Sequence, residues 1–412
     1  MSNSPIYSLR FALTALSLTS LGPVAIAQSM DELEARLFDH PALDAMRYGS
    51  DASRERAQAA TGLPDPVVSL GINNFPIFDP AFDSFLPTNK AIGIRQQIPN
   101  RAGRNARSAE ALRRALQNDA ATDMRFSELR ARLQIALIEK RRIEAQRVLA
   151  EERDAKYAEL EAIVQTEIDS GRPVVFRLAE IDVERAEVAR TLAELEGQLS
   201  QVDAQLIDYV GLVPATPAPE LSALDWTGDA RAFHLVRVSD KAVHVADAGV
   251  DQAKAEYKPN WGAQLTYQQR DQGSGGPGST FAGDDWVSGA VTFTIPLWAK
   301  NRQAPALRAA KAEREAARAR YMAASRTAAA QYAAYDATRR AADKSIAVFQ
   351  QKIAAIADQV AAQLTTYESG VGDYSPIIDG EIAAISLRAQ IALEQSRRDS
   401  AIARMNALLV TP

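Results

Sequence analysis

One succession of elements occurs twice along this chain with a period near 200 residues, and it limits the possible folds more than any other feature. The stretch 38–66 (FDHPALDAMRYGSDASRERAQAATGLPDP) parallels 233–260, and 91–115 (AIGIRQQIPNRAGRNARSAEALRRA) parallels 290–314. TEIDSGRPVVFRLAE (166–180) parallels TYESGVGDYSPIID (366–379), and LIDYVGL (206–212) parallels RMNALLV (404–410). Each half reads as a helix, two strands, one very long helix, a glycine turn and a returning helix. So long a period suits two fused copies of one unit rather than a solenoid. A first repeat over 28–212, a Pro-rich linker over 213–230 and a second repeat over 231–412 follow.

The long helices set the dimensions. Ala102 to Asp169 is 68 residues without proline, and Gln303 to Ser369 is 67 with a single Pro305 in the first turn, where proline is tolerated. At 1.5 Å per residue each runs about 100 Å, well beyond an ordinary globular helix. Phe126, Leu129, Leu133, Ala136, Leu137 and Ile143 alternate threes and fours as in a coiled coil; the second stripe is mostly alanine (Ala309, Ala312, Ala316, Ala319, Ala323). The shorter segments, Val174 to Val210 and Leu235 to Tyr257, together match the length of one long helix. Ser375 to Leu409 would then stack on the N-terminal helix Pro41 to Thr61.

Four strands are expected, over 66–75, 91–98, 260–270 and 285–297, each near the length of a tilted transmembrane β-strand. Each has two chemically distinct faces. Val68, Leu70, Ile72, Ile92, Ile94, Ile98, Leu265, Tyr267, Val291, Phe293 and Ile295 form one; Ser69, Asn73, Arg95, Gln97, Gln264, Thr266, Thr292 and Thr294 form the other. A soluble sheet alternates in the same way. Trp261, Trp286 and Trp298 at the strand ends, where an interfacial aromatic belt lies, favour a membrane barrel with Arg95, Gln97, Gln264, Thr292 and Thr294 toward its lumen. Four strands cannot close a barrel, and lipid forbids an open edge, so the arithmetic favours three copies and twelve strands.

Composition agrees with export. Arg10, the apolar run Phe11 to Leu21 and Ala25-Ile26-Ala27 have the layout of a cleaved signal peptide over 1–27, leaving Gln28 first. The chain has no cysteine, which excludes disulfides, thiolate metal sites and a lipidated N-terminal cysteine. Beyond the leader no run of 18 apolar residues occurs, and a formal charge of −5 gives no basic excess for nucleic acid.

With these features together the sequence resembles the TolC family of outer-membrane efflux proteins over essentially the whole mature chain. LPDPVVSLGINNFPI (63–77) with AIGIRQQIPNRAGR (91–104) looks most like the outer-membrane components of heavy-metal RND efflux systems. The resemblance implies a mainly α fold with a β-barrel part: a homotrimer whose twelve-stranded barrel in outer-membrane lipid continues as an α-helical periplasmic tunnel. It also implies substrates, heavy-metal cations in that subgroup, handed over by a periplasmic adaptor and an inner-membrane RND pump.

In that family the helical tips close the tunnel and meet the adaptor. Here the tip turns fall at Gly171-Arg172-Pro173 and Gly370-Val371-Gly372, with Tyr374 beside the second. YESGVGDYSPIIDG resembles the segment that carries constriction aspartates in relatives. Asp379 matches one such position and Pro376 occupies the other; Asp373 and Glu180 are weaker candidates. Threefold symmetry would make Asp379 a ring of three carboxylates attractive to cations. His40 and His234 sit at equivalent helix starts and read as structural; with His244 they assemble no metal site. No cofactor or catalytic set is expected, so the chain is not read as an enzyme. A periplasmic coiled-coil adaptor without a pore, and the same duct exporting drugs, are the alternatives.

Overall fold

The computed structural model describes residues 29–78, 80–83, 87–271 and 284–410, so the leader expected over 1–27 lies outside the described residues. Two helices come first among the described residues. Ser29 and Glu32 form a reciprocal capping box that starts α1 (Met30–Phe38). His40 caps α2 (Pro41–Ala59), its Nδ1 accepting from the Ala42 N–H at 3.1 Å, with Pro41 in the first helical position. The first of these helices precedes the N-terminal helix expected over Pro41 to Thr61, and the Ser-x-x-Glu signature marks it.

Two strands follow, β1 (Val67–Asn73) and β2 (Asn89–Ile98), and Asn100 then caps α3 (Arg101–Asp169) by accepting from the Gly103 N–H. The first half returns along α4 (Phe176–Val210), which ends at Gly211 in the left-handed conformation. The second half repeats this with α5 (His234–Ala255), β3 (Trp261–Gln269), β4 (Trp286–Phe293), α6 (Gln303–Glu368) and α7 (Ser375–Leu408). The strands form one antiparallel meander in the order β1-β2-β3-β4. β4 ends at Phe293 rather than at Leu297, because the backbone turns there through Pro296 into the start of α6.

The helices make four columns. α3 packs against α2 and α4 on one side and against α5 and α7 on the other, and α6 packs against α5 and α7. α5 stands end to end on α7: Phe233 and Leu409 form a β-bridge, and the Val410 N–H donates to the Ala232 carbonyl at 2.7 Å. α1 and α2 meet the end of α4 in a cluster of Leu33, Leu37, Leu43, Leu206 and Val210 against Leu133 and Leu137 of α3. Stacking therefore pairs α2 with α4 and α5 with α7, opposite to the expected pairing of the return helices. Length alone is compatible with either pairing; the linker decides it by crossing from one side of α3 to the other.

That linker is strapped down as it crosses. The Asn406 side chain donates to the Ser222 carbonyl and accepts from the Leu224 N–H, both at 2.8 Å; the Tyr332 hydroxyl of α6 donates to the Leu224 carbonyl at 2.7 Å. Trp226, Phe233 and Tyr332 stack together beneath it, where Phe233 is fully buried. Near the glycine turns a third cluster, Tyr157, Leu160 and Val164 with Ile181, Val188, Ile378 and Ile382, ties α3, α4 and α7.

Candidate functional site: a two-faced sheet and a braced helical tip

Register sorts the sheet into two faces. Val68 lies opposite Ile94 and Leu70 opposite Ile92; Ile94 faces Leu265, Ile92 faces Tyr267, and Val291 faces Ala263. These residues share one face, and it is exposed: Leu70 is 79% accessible and Val291 68%. Water cannot be the intended environment of so continuous an apolar surface. The opposite face carries Ser69, Asn73, Arg95, Gln97, Gln264, Thr266, Ser288 and Thr292. There Arg95 Nε donates to Gln264 Oε1 at 2.9 Å, and Asn73 donates to Asn89 at 2.9 Å. Gly262 leaves room for Thr292, whose Oγ1 would lie 2.6 Å from any added Cβ. Thr294 falls beyond β4 yet still binds the strand start, accepting from the Asn260 N–H at 3.1 Å.

The tryptophans divide. Trp261 stacks on Phe293 at 5.6 Å on the apolar face, and Trp298 is exposed in the turn after β4. Trp286 departs from the expected belt. It lies opposite Gln268, on the same side as Ser288, and its ring is covered by the Arg270 guanidinium at 4.6 Å. Counting by twos from Thr292 puts it among the polar positions.

At the other end of the columns the two glycine turns have the same construction. Gly171 (φ 88°) and Gly370 (φ 76°) are left-handed, and the following N–H groups, of Arg172 and Val371, reach back to the carbonyls of Glu167 and Thr366. Gly372 is needed for closeness instead, an added Cβ meeting the Thr366 methyl at 3.2 Å.

Because the turns are at one height, side chains bridge them. Arg172 Nη1 lies 3.0 Å from Asp373 Oδ1 and 3.2 Å from Glu167; Arg177 donates to the Ser375 hydroxyl at 2.8 Å. Lys156 of α3 pairs with Glu381 of α7 at 2.6 Å and with Glu159 at 2.9 Å, and Tyr374 donates to Glu159 at 3.3 Å. The hydrogen bond to Glu381, then that to Glu159, raises the Lys156 ammonium above its ordinary range; burial and then Glu159 raise the Tyr374 phenol. Lys156, Glu159, Arg177 and Glu381 were not singled out in the sequence, since their partners lie far along the chain.

The expected constriction residues do not come together within one chain. Asp373 is spent on the Arg172 ion pair at the turn itself, a departure from a free constriction acid, because the repeat sets the two turns side by side. Asp379 and Glu180 are exposed, on α7 and α4 respectively. Among the described residues no group of three or more metal-capable side chains forms, and no helix is long and apolar enough to cross a membrane.

Comparison with known proteins agrees with this architecture. Residues 234–410 match the family described as outer membrane efflux protein. No curated protein matches the chain. Among solved structures, CusC, described in terms of folding and transmembrane channel formation, is similar with a TM-score of 0.76 at 16% identity over 99% of both chains. The open state of the MtrE outer membrane channel of Neisseria gonorrhoeae gives 0.75 at 16% identity, over 92% of this chain and 88% of that one. The outer membrane protein VceC of Vibrio cholerae gives 0.73 at 15%, over 92% and 95%. CusC and MtrE are thus both described as channels. Residues 234–410 thus carry the outer membrane efflux protein domain, and the chain as a whole shares the fold of these solved outer membrane proteins.

Proposed function

We propose that three copies of this chain assemble into the exit duct of a tripartite efflux system, opened at its periplasmic tip by an adaptor and fed by an inner-membrane RND pump. One observation carries the reading: a four-stranded meander with an exposed apolar face stands on the starts of two helices of 69 and 66 residues, and among the described residues neither of its edges is paired. In lipid an unpaired edge is untenable, and three sheets side by side remove all six edges in a twelve-stranded barrel. The helices call for the same closure. The α2/α4 column and α6 each lack a neighbour on one flank, so three sets of four columns close a tunnel.

Export follows cleavage before Gln28, and the mature chain is held by its barrel without a lipidated cysteine. The adaptor docks on the tip around Gly171, Arg172, Gly370, Gly372 and Tyr374, where Val175, Phe176 and Val371 offer exposed apolar contact. Bridges such as Arg172 to Asp373 hold the two hairpins together in the resting tip, and docking separates them. Asp379 supplies the constriction. It is 18 residues, five helical turns, from Arg397, and so shares the face of α7 turned away from the linker. Heavy-metal cations are the proposed cargo, supported by the segments 63–77 and 91–104.

Membrane fractionation tests the assembly. Unheated detergent extracts of outer membranes should contain a trimer that heating dissociates, and a soluble periplasmic monomer would refute the duct. Deleting the gene and comparing tolerance to copper, zinc, cobalt, nickel and organic drugs tests the cargo; unchanged metal tolerance removes that part alone.

A further inference from the structure

Where the sheet meets the helices, its polar face opens onto a cavity of about 760 Å³. Four cationic side chains line it, Arg95 from β2, Arg107 from α3, Lys258 before β3 and Arg302 before α6, with Glu256 the one carboxylate. Elsewhere most arginines in this protein are neutralised by a neighbouring acid, as Arg141 is by Asp399 and Arg190 by Glu187. Among the described residues none of the four is in an ion pair, and the hydrogen bond of Arg95 goes to the neutral Gln264.

The backbone adds to this charge. α3 and α6 both begin at the cavity, so the positive ends of two very long helices converge on it, and α6 has no side-chain cap of its own. All four side chains are exposed to solvent, and a cleft lined by one sign of charge concentrates counter-ions from solution. Guanidinium forks suit carboxylate and phosphate oxygens in particular.

We propose that this neck is an anion-binding subsite and the charge filter of the duct. The inference rests on the trimeric duct reading, in which the polar sheet face lines the lumen and three copies bring twelve cations and three carboxylates to one collar. Solutes bearing carboxylate or phosphate groups concentrate at the collar, and a metal cation passes it as an anionic complex or with its counter-ions.

Planar-bilayer recording of the purified full-length protein, with inorganic tripolyphosphate as the probe, tests this. Tripolyphosphate should block the wild-type current, and Arg95→Gln/Arg107→Gln/Arg302→Gln should need at least about tenfold more for the same block, three charge-assisted contacts being lost. The same variant should shift the reversal potential in a potassium chloride gradient toward cation preference, and Glu256→Gln should deepen the block. Arg107→Lys/Arg302→Lys, which keeps the charge but not the guanidinium forks, should keep the wild-type reversal potential and lose less block than the neutralised variant. Retention of the heat-dissociable trimer controls for folding, and the single variant Arg302→Gln, whose side chain is exposed, gives the same readout if the triple variant fails to assemble. Equal block in wild type and neutralised variants, with normal conductance, overturns the anion filter and leaves the duct standing; absence of any conductance overturns the duct and the filter with it.

Discussion

Arg172 and Asp373 lie 201 residues apart in sequence and 3.0 Å apart in space, and their ion pair joins the two hairpin tips of one chain. The hydrogen bond to Asp373 and the charge of Glu167 raise the Arg172 guanidinium above its ordinary value, so it is charged at every accessible pH. Both partners are well exposed, so solvent screens the pair. Arg172→Ala alone should therefore raise the open fraction of single channels by less than about fivefold. Adding Lys156→Ala, which also releases Glu381 and Glu159, should open the tip further, and the charge swap Arg172→Asp/Asp373→Arg should restore the wild-type open fraction. An unchanged open fraction in the double alanine variant would remove these bridges from the resting tip.

In the proposed duct Asp379 would bear on conduction rather than on stability. It is exposed, and the neighbouring Ile377, Ile378 and Ile382 already bury the packed side of α7. Asp379→Asn should leave the trimer as heat-stable as wild type while weakening block by multivalent cations added from the periplasmic side. A ring of three carboxylates is the simplest source of such block. Conductance and cation sensitivity equal to wild type would take Asp379 out of the constriction.

The sheet makes an asymmetric prediction from two substitutions of the same kind. Leu265→Arg places a charge in the middle of the apolar face, at about 2–4 kcal/mol per chain near a bilayer midplane. Ser288→Arg, on the polar face of the adjoining strand, meets no lipid. Outer-membrane trimer should be largely lost in the first variant and retained in the second. Equal yields would mean that the apolar face does not meet lipid.

How far the sequence reveals this molecule depends on the range of the interaction. The two sheet faces were legible because side chains alternate at every residue, and the alternation of Ile92 and Ile94 with Gly93 and Arg95 needs no partner to be seen. The parity of Trp286 is equally legible: its position at a strand end points to a belt, whereas the count by twos from Thr292 places it on the polar face. α1 was signalled by Ser29 and Glu32 and hidden by its shortness. The stacking of α5 on α7 was not legible, since helix lengths permit either pairing and the decision lies in the linker contacts of Ser222 and Leu224 with Asn406 and Tyr332. The tip bridges were hidden for a related reason: only the folded repeat brings residues such as Lys156 and Glu381 together.

The buried start of α5 gives a pH dependence. His234 is 8% exposed, and burial lowers its pKa from the ordinary value near 6.5 more than Asp123 and Glu128 on α3 raise it; Arg237 on its own helix lowers it further. The folded state therefore takes up the proton at a lower pH than the unfolded chain does. Above about 6.5 neither state is protonated and the histidine carries no penalty. As pH falls below that value the unfolded chain binds the proton first, so stability declines until pH passes the lowered folded pKa, at up to about 1.4 kcal/mol per pH unit. The trimer should dissociate at a lower temperature at pH 5.5 than at pH 7.5, and His234→Gln should flatten that difference while leaving the tip-bridge variants unaffected. An identical pH slope in wild type and His234→Gln would assign the acid sensitivity to the carboxylate pairs of the columns, such as Lys140 with Asp203, instead.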